Sequence, residues 1–313
     1  MGADTRFDLV VIGDVNPDVI VVSPDLDIRF GQHESFVDDG CLVLGGSAAI
    51  AASGTARLGL RTAFAGVVGD DALGRICREA LVQSGVDVSM LAVDPAVRTG
   101  LTVVLQQSGD RAILTYGGSI RALSMHHVSV EALTAARHVH VGSYFLLDGL
   151  RPALPELFAV LRARGCTTSL DTNFDPAERW DVGAVLDECD VLLPSATEAC
   201  RLAGVTALDD ALGRLAARVP IVAATDGAAG AVAARGTDRV RVDAARVPGG
   251  VVDAIGAGDT FDAGFLYGFL NGWDLERSMR FAAGAAALSL RGRGGTERQG
   301  TLVEVLATAG LTA

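Results

Sequence analysis

From His138 onward the chain repeats one rhythm: a short apolar run, then a stretch with helical spacing. The runs are HVHVGS (138–143), TTSLDTN (167–173), DVLLPS (190–195) and PIVAATD (220–226). Strands so short, apolar on both faces and separated by helices, have few ways to bury themselves. The arrangement that fits is a mainly parallel sheet of βαβ units, an α/β fold with helices on both faces. The N-terminal part starts the same way. Residues 7–12 are apolar and end at Gly13-Asp14, a buried strand feeding a loop. Residues 46–58 have helical spacing with Gly59 as a stop. Residues 61–68 read as a strand, and Asp70 is the expected cap of a helix ending near Gly85.

Two excursions break the rhythm. Residues 19–22 are extended and 24–40 are polar, whereas TGLTVVLQQ (99–107) and RAILTY (111–116) flank a Ser108-Gly109-Asp110 turn as a hairpin. Neither can bury a sheet of its own in the main core. The two, over about 15–42 and 97–118, are expected to pair as a small β lid that closes over a ligand and excludes water. A second hairpin is expected over 229–235 and 238–244, then helices over 259–270, 275–290 and 301–309. The chain thus reads as a single domain over 1–313 without repeats or long linkers.

Charge narrows the chemistry. Acids outnumber bases 38 to 26, for a net charge of −12, and all the bases are arginine. Without lysine there is no GxxxxGK[ST] loop, no protein-kinase β3 lysine and no Schiff base. Phosphate must be held by arginine, backbone N–H groups or a metal ion. Net acidity without a basic cluster argues against nucleic acid and anionic membranes as partners, and no apolar run reaches the ~18–20 residues that span a bilayer. The start, MGADTRFDLVVIGD, lacks a signal-peptide core, and Arg6 stands where a myristoylation motif needs Ser or Thr. Cys41, Cys77, Cys166, Cys189 and Cys200 are odd in number with no CxxC, and read as core residues in a reducing cytoplasm. His138 and His140 alternate on a strand without a third ligand and read as core or surface residues, not as a metal site.

The segment VVDAIGAGDTFDAGF (251–265) sets Asp253 and Asp259 on either side of Gly256-Ala257-Gly258. Apolar residues at 261, 265, 266, 269 and 270 form a helical stripe ended by Asn271-Gly272. The glycines therefore sit at a helix N-terminus, where unpaired N–H groups and the positive dipole end favour an oxyanion or a phosphoryl group. Asp259 at the mouth of such a hole is either an N-cap acid or a base that takes the proton of an attacking hydroxyl. Phe261 stands where a GxGxxG dinucleotide fingerprint needs glycine.

The order of these features resembles the ribokinase-like (phosphofructokinase B) family of sugar and nucleoside kinases over nearly the whole chain. D-x-x-G-A-G-D-x-F-x-x-G, here Asp253 to Gly264, is the most specific piece. The resemblance implies a three-layer α/β/α domain with a β-sheet lid, and it implies roles for residues that match family motifs. Gly13, Asn16 and Asp18 match G-x-x-N-x-D, which places Asn16 and Asp18 on substrate hydroxyls. Gly45 and Gly46 match the glycines of a substrate-lining G-G-x-x-A-N, with Ile50 in place of the family asparagine. Ser195 and Glu198 stand at N-x-x-E, where the asparagine is replaced and Glu198 orders Mg²⁺ through water. Asp171 and Asn173 keep a D-x-N strand end. Thr225, Gly227 and Gly230 match a nucleotide-contacting turn, and Ala283 and Gly284 a small-residue adenine face. Gly256, Ala257 and Gly258 take the family's anion hole, Asp259 its catalytic base, and Asp253 stands beside the loop as a candidate ligand for K⁺.

Each match also has a plainer reading: a turn at Asn16 and Asp18, a helix-start acid at Glu198, tight packing at 282–287. Their shared order points to an ATP- and Mg²⁺-dependent kinase acting on a hydroxyl of a small sugar-like molecule. A nucleoside kinase, favoured by the apolar Ile50, and a non-catalytic nucleotide- or sugar-binding protein are the alternatives. A phosphosugar substrate would need cations, for which Arg29, Arg98 and Arg111 are the candidates. The run LTVVL (101–105) would allow a homodimer through the lid.

Overall fold

The computed structural model describes residues 5–108 and 110–312, so the start of the N-terminal leader reading and Gly109 of the expected turn lie outside the described residues. The first strand, β1 (Phe7–Ile12), leads into a small-sheet pair, β2 (Asn16–Val22) and β3 (Asp39–Gly45). Next come α1 (Ser47–Arg57), β4 (Thr62–Gly69), α2 (Ala72–Gln83) and β5 (Asp87–Asp94), then the hairpin β6 (Leu101–Gln107) and β7 (Asp110–Tyr116). Short helices α3 (Gly118–Ala122) and α4 (Val130–Leu133) precede β8 (Ala136–Val141), α5 (Leu154–Ala163), β9 (Thr167–Leu170) and β10 (Val191–Leu192). Helices α6 (Ala196–Ala203) and α7 (Leu208–Ala216) lead to β11 (Ile221–Thr225), β12 (Ala231–Arg235) and β13 (Asp238–Val242). Three helices follow, α8 (Ala257–Leu270), α9 (Leu275–Ser289) and α10 (Leu302–Ala309).

Nine strands form the large sheet in the order β13-β12-β11-β10-β9-β8-β1-β4-β5. All pairs from β11 to β5 are parallel, and β12 and β13 add an antiparallel hairpin at one end. Alternation along each strand feeds two separate cores. Val10 and Ile12, Ala65 and Val67, Val222 and Ala224 enter one; Leu9 and Val11, Phe64 and Val68, Ile221 and Ala223 enter the other. Apolar runs on both faces are thus what a sheet covered on both sides requires.

Four strands in the order β3-β2-β6-β7 form the small sheet. Its boundaries differ from expectation: β3 runs on to Gly45, and residues 24–38 carry no helix or strand. The run 101–105, which would allow a homodimer through the lid, lies in an interior strand, with β6 paired with β2 on one side and β7 on the other, so only the face of the sheet and not an edge of β6 is open to a second copy. Asn16, Asp18 and Ile20 alternate onto one face, and Val19 onto the other. Cross-strand register aligns Leu42, Val19, Val103 and Leu114 in one row. Two local readings are corrected. Asp71, not Asp70, caps α2: its carboxylate accepts from Gly74 N at 2.8 Å, whereas exposed Asp70 lies 3.9 Å from Arg75. Strand β5 was missed because it is a half-buried edge strand opening and closing on aspartates. Among the described residues no helix is long and apolar enough to cross a membrane. Cys77, Cys166 and Cys189 are buried, Cys41 and Cys200 half-buried, and all five are free thiols.

Candidate active site

Strand order reverses between β1 and β8, because the chain proceeds from β1 to β4 on one side and from β8 to β9 on the other. Ligands of open α/β sheets bind at such a point, off the carboxyl ends of the strands. Here those ends are Gly13-Asp14, Gly142-Ser143 and Asp171-Thr172-Asn173. Helix α1 docks onto them through missing side chains: a Cβ on Gly13 would lie 2.5 Å from Ala48 Cβ, and one on Gly142 3.0 Å from Ala48 Cα. The Asp14 carboxylate caps the helix, accepting from Ser47 N at 3.2 Å and Ala48 N at 3.0 Å. The start of α1 is thereby fixed over the crevice.

The small sheet supplies the next wall. Asn16 Nδ2 donates to Asp18 Oδ1 at 2.8 Å and to Thr102 Oγ1 at 3.0 Å, which orients both acceptors. Gly45 leaves the room that Asp18 occupies, since a Cβ there would sit 2.0 Å from Asp18 Oδ1. Gly46 has φ +88, and a Cβ would lie 2.7 Å from Asp14 O. Burial, then repulsion from Asp14, pushes the Asp18 carboxyl up to about 7.

Gly256 caps α8 in a left-handed conformation, φ +72, with Gly295 Cα 2.3 Å from where its Cβ would be. Ile50 packs against this same backbone: its Cγ2 lies 3.1 Å from the position of a Gly256 Cβ, and its Cδ1 2.5 Å from that of a Gly295 Cβ. At 2% exposure Ile50 supports the glycine loop from beneath and offers no surface to a bound ligand. Gly258 has open space where a Cβ would point. Asp253 fastens the loop: its carboxylate accepts from Gln106 Nε2 at 2.9 Å, Ile255 N at 3.1 Å and Gly294 N at 2.9 Å. Both its oxygens face N–H donors, and Gln106 ties the small sheet to the loop.

Asp259, in the first turn of α8, is 9% exposed. The Ser47 hydroxyl donates to its Oδ1. Asn173 Nδ2 donates to Ser47 Oγ at 3.0 Å, and Ser143 N donates to Asn173 Oδ1 at 2.8 Å. Burial pushes the Asp259 carboxyl up to about 7, against the Ser47 bond that favours the charged form, with Asp14, Asp18 and Glu198 adding repulsion. One turn on, Asp262 meets Asp171 side chain to side chain. Both are buried: burial, then repulsion from Glu198 and Asp259, holds Asp171 well above the usual carboxylate range, and burial, then repulsion from Asp171 and Asp259, does the same for Asp262. Asp171 also accepts from Asn173 N at 3.0 Å.

The residues matched to nucleotide binding are arrayed along neighbouring strand ends. Ser195 and Glu198 form a reciprocal cap on α6, with Ser195 N donating to Glu198 Oε2 at 2.7 Å. Ser195 also bridges to Thr225 at the end of β11. Gly227 has φ +53 and an open face, whereas Gly230 is required by packing, since a Cβ would lie 2.0 Å from Val242 O. Ala283 packs against the core between α9 and the sheet. Gly284 is packed against α10: a Cβ there would meet Ala309 Cβ at 3.0 Å and Val305 O at 3.2 Å, so its smallness serves that helix contact. His138 and His140 are buried, bonded to Thr167 and Ser169 hydroxyls at 2.7–2.8 Å, and burial pushes both down to about 3. They are neutral core residues.

Sequence reasoning missed Asp14, Ser47, Asp262 and Gln106. Only Asp14 and Ser47 carried a local signal, an acid directly after a strand-end glycine and a hydroxyl directly after Gly45-Gly46.

A family model described as pfkB family carbohydrate kinase matches residues 6–301. The chain belongs to the pfkB family of carbohydrate kinases. Among relatives of this pfkB kinase, acarbose 7(IV)-phosphotransferase of Actinoplanes sp. is 34% identical over 288 residues, covering 90% of this chain and 91% of that one. Fructokinase of Klebsiella pneumoniae is 34% identical over 238 residues, covering 72% and 76%. The structure of Arabidopsis thaliana ribokinase complexed with ribose and ATP matches this pfkB kinase with a TM-score of 0.84 at 26% identity, covering 98% and 100% of the two chains. The kinase thus has the ribokinase-like fold, a large mainly parallel sheet with a smaller one, and the phosphotransfer activity of its family.

Proposed function

We propose that this carbohydrate kinase transfers the γ-phosphoryl of ATP to a hydroxyl of a small neutral polyol, with Asp259 as the general base. The observation that carries the reading is Asp259 itself. It is buried at the start of α8, next to the open backbone of Gly258 in the turn that Gly256 shapes, with a carboxyl pushed up to about 7. A base works best when its pKa lies near the working pH. The residues fit a magnesium nucleotide. The α8 amides suit the γ-phosphoryl, Gly227 leaves an open face for the nucleotide, and Glu198 keeps Oε1 without a hydrogen bond among the described residues while Ser195 holds Oε2. When bound, that group supplies the phosphoryl and neutralises its charge. The three donors on Asp253 account for its burial without a cation, so this reading gives K⁺ no role.

Asp18, oriented by Asn16 and Thr102, is placed to accept from substrate hydroxyls. Asp14 and Asp18 already repel each other there, so an anionic substrate would add to a charge the site raises pKa values to relieve. Arg29, a candidate for a phosphosugar, is exposed and paired with Asp27. The small sheet, latched by Gln106, would keep water from the reacting hydroxyl. The apolar residue that suggested a nucleoside, Ile50, is occupied beneath the glycine loop. Nucleosides are therefore a comparison arm of the test.

ADP release from ATP should be measured with neutral sugars and polyols, sugar acids and nucleosides. Turnover with the neutral class is expected, and Asp259→Asn should lower kcat by about 10²–10⁴-fold while ATP binding persists. Near wild-type kcat in that variant would refute the base.

A further inference from the structure

We infer that Ser47 is the positioning residue that decides which oxygen of Asp259 receives the substrate proton, a role that rests on Asp259 being the base. The direction of each bond follows from the donors. Ser143 N is a fixed donor, so the Asn173 atom it meets at 2.8 Å is Oδ1. The other end of that amide, Nδ2, then donates to Ser47 Oγ at 3.0 Å. Having accepted, the Ser47 hydroxyl turns its one proton to the remaining partner, Asp259 Oδ1. Oδ1 is thereby capped by a donor, and Oδ2 is the oxygen left to an incoming hydroxyl. In the transfer the substrate O–H bond breaks, its proton goes to Oδ2, and the freed oxygen pair bonds phosphorus as the bond to departing ADP breaks.

Backbone strain marks the same relay. Ser143 (φ 56) and Asn173 (φ 51) are non-glycine residues in the left-handed region, both just past the ends of the neighbouring strands β8 and β9. Such conformations persist where the surroundings over-determine them. The bond between these two residues aims the Asn173 amide at Ser47. Ser47 itself is held through its backbone N–H on Asp14, a bond that does not need the hydroxyl. Ser47→Ala therefore removes the donor and keeps the helix seat.

The titratable groups acting on Asp259 are all acids: Asp14 beyond β1, Asp18 on β2, Asp171 beyond β9, Glu198 on α6 and Asp262 on α8. All oppose its ionisation, and Ser47 is the side-chain donor favouring it. In Ser47→Ala the acid limb of the kcat–pH profile should move to higher pH by about one pH unit. At the plateau kcat should fall about tenfold as the carboxylate loses its orientation, with KM for ATP unchanged. Ser47→Thr, which restores the hydroxyl, should return both toward wild type. A purely structural role would lower the melting temperature without moving the profile. Carbon-13 NMR of the Asp259 carboxyl, assigned by its loss in Asp259→Asn, reads the same midpoint without turnover. A midpoint or acid limb unmoved in Ser47→Ala overturns the proposal. A wild-type enzyme that phosphorylates no polyol sinks the assignment of the base instead, and the NMR midpoint still judges Ser47.

Discussion

Asp259→Asn should make the protein more stable as well as inactive. The Asp259 carboxyl is pushed from 3.8 up to about 7, chiefly by burial. A carboxyl whose folded pKa lies above its unfolded value binds its proton more tightly when folded. Its contribution to stability is present in full below about pH 4 and is lost as pH rises through about 7. Each pH unit between is worth ~1.4 kcal/mol, so the ionised acid costs at most about 4 kcal/mol at pH 8 relative to acid conditions. An asparagine avoids that cost and can still accept the Ser47 hydroxyl bond through its Oδ1. Its new N–H₂ needs a partner, however, and an unmet buried donor returns about 1–3 kcal/mol. The net gain expected at pH 8 is roughly 2 kcal/mol, a rise in Tm of about 3 °C for a chain of this size. The gain should shrink toward zero near pH 5, where only the unfolded carboxyl is ionised and the cost to wild type, about 1.7 kcal/mol, is no more than the unmet donor returns. Melting curves of both proteins from pH 5 to 8.5, with kcat measured alongside, test this. A variant no more stable than wild type at pH 8, or a difference independent of pH, would refute the electrostatic account of the site.

Two further outcomes follow from the small sheet. In Gly45→Ala the added Cβ falls 2.0 Å from Asp18 Oδ1, so the carboxylate must swing away; KM for the polyol should rise at least about tenfold, with KM for ATP unchanged, and an unaltered polyol KM would show that Asp18 does not hold substrate. The row Leu42, Val19, Val103 and Leu114 crosses all four strands, with Leu42 and Leu114 exposed, and we propose that two copies of the chain pair on it. Light scattering should give twice the 32.2 kDa chain mass and Leu114→Glu should give monomers, whereas a monomeric wild type would reject the pairing.

What was legible in the sequence was local. The α8 start could be read because glycines, an acid and an apolar stripe lie within one short segment, and helix N-termini have a fixed chemistry. Buried parallel strands could be read because both faces are apolar. Pairing order could not: LTVVL reads the same in an interior strand as in an edge strand, and only the register shows β6 enclosed. Small residues were likewise ambiguous. Gly258 is open toward the site while Gly284 is pressed against α10, and no spacing rule separates a residue kept small for a ligand from one kept small for a neighbouring helix. The Ser47 relay joins residues 212 and 126 positions apart, so nothing in any one segment announces it.

The absence of lysine gains its meaning from the acids. Asp14, Asp18, Asp171, Asp259 and Asp262 are all buried around one crevice, and the main influences on them are burial, one another, Glu198 and neutral donors. A P-loop enzyme meets phosphate with a lysine; on the proposed reading this chain would meet it with backbone amides at α8 and a surplus of negative charge behind them. A bare triphosphate would be repelled by that surplus, and a neutral polyol does nothing to relieve it. On the proposed reading a nucleotide arriving with its own divalent cation would balance the crevice, and the metal would then serve nucleotide binding as well as the chemical step. Burial first, and then the same surplus, pushes the Asp259 carboxyl up to about 7. On the proposed reading, burial together with charge that would be a liability in a folded core holds Asp259 ready to accept a proton.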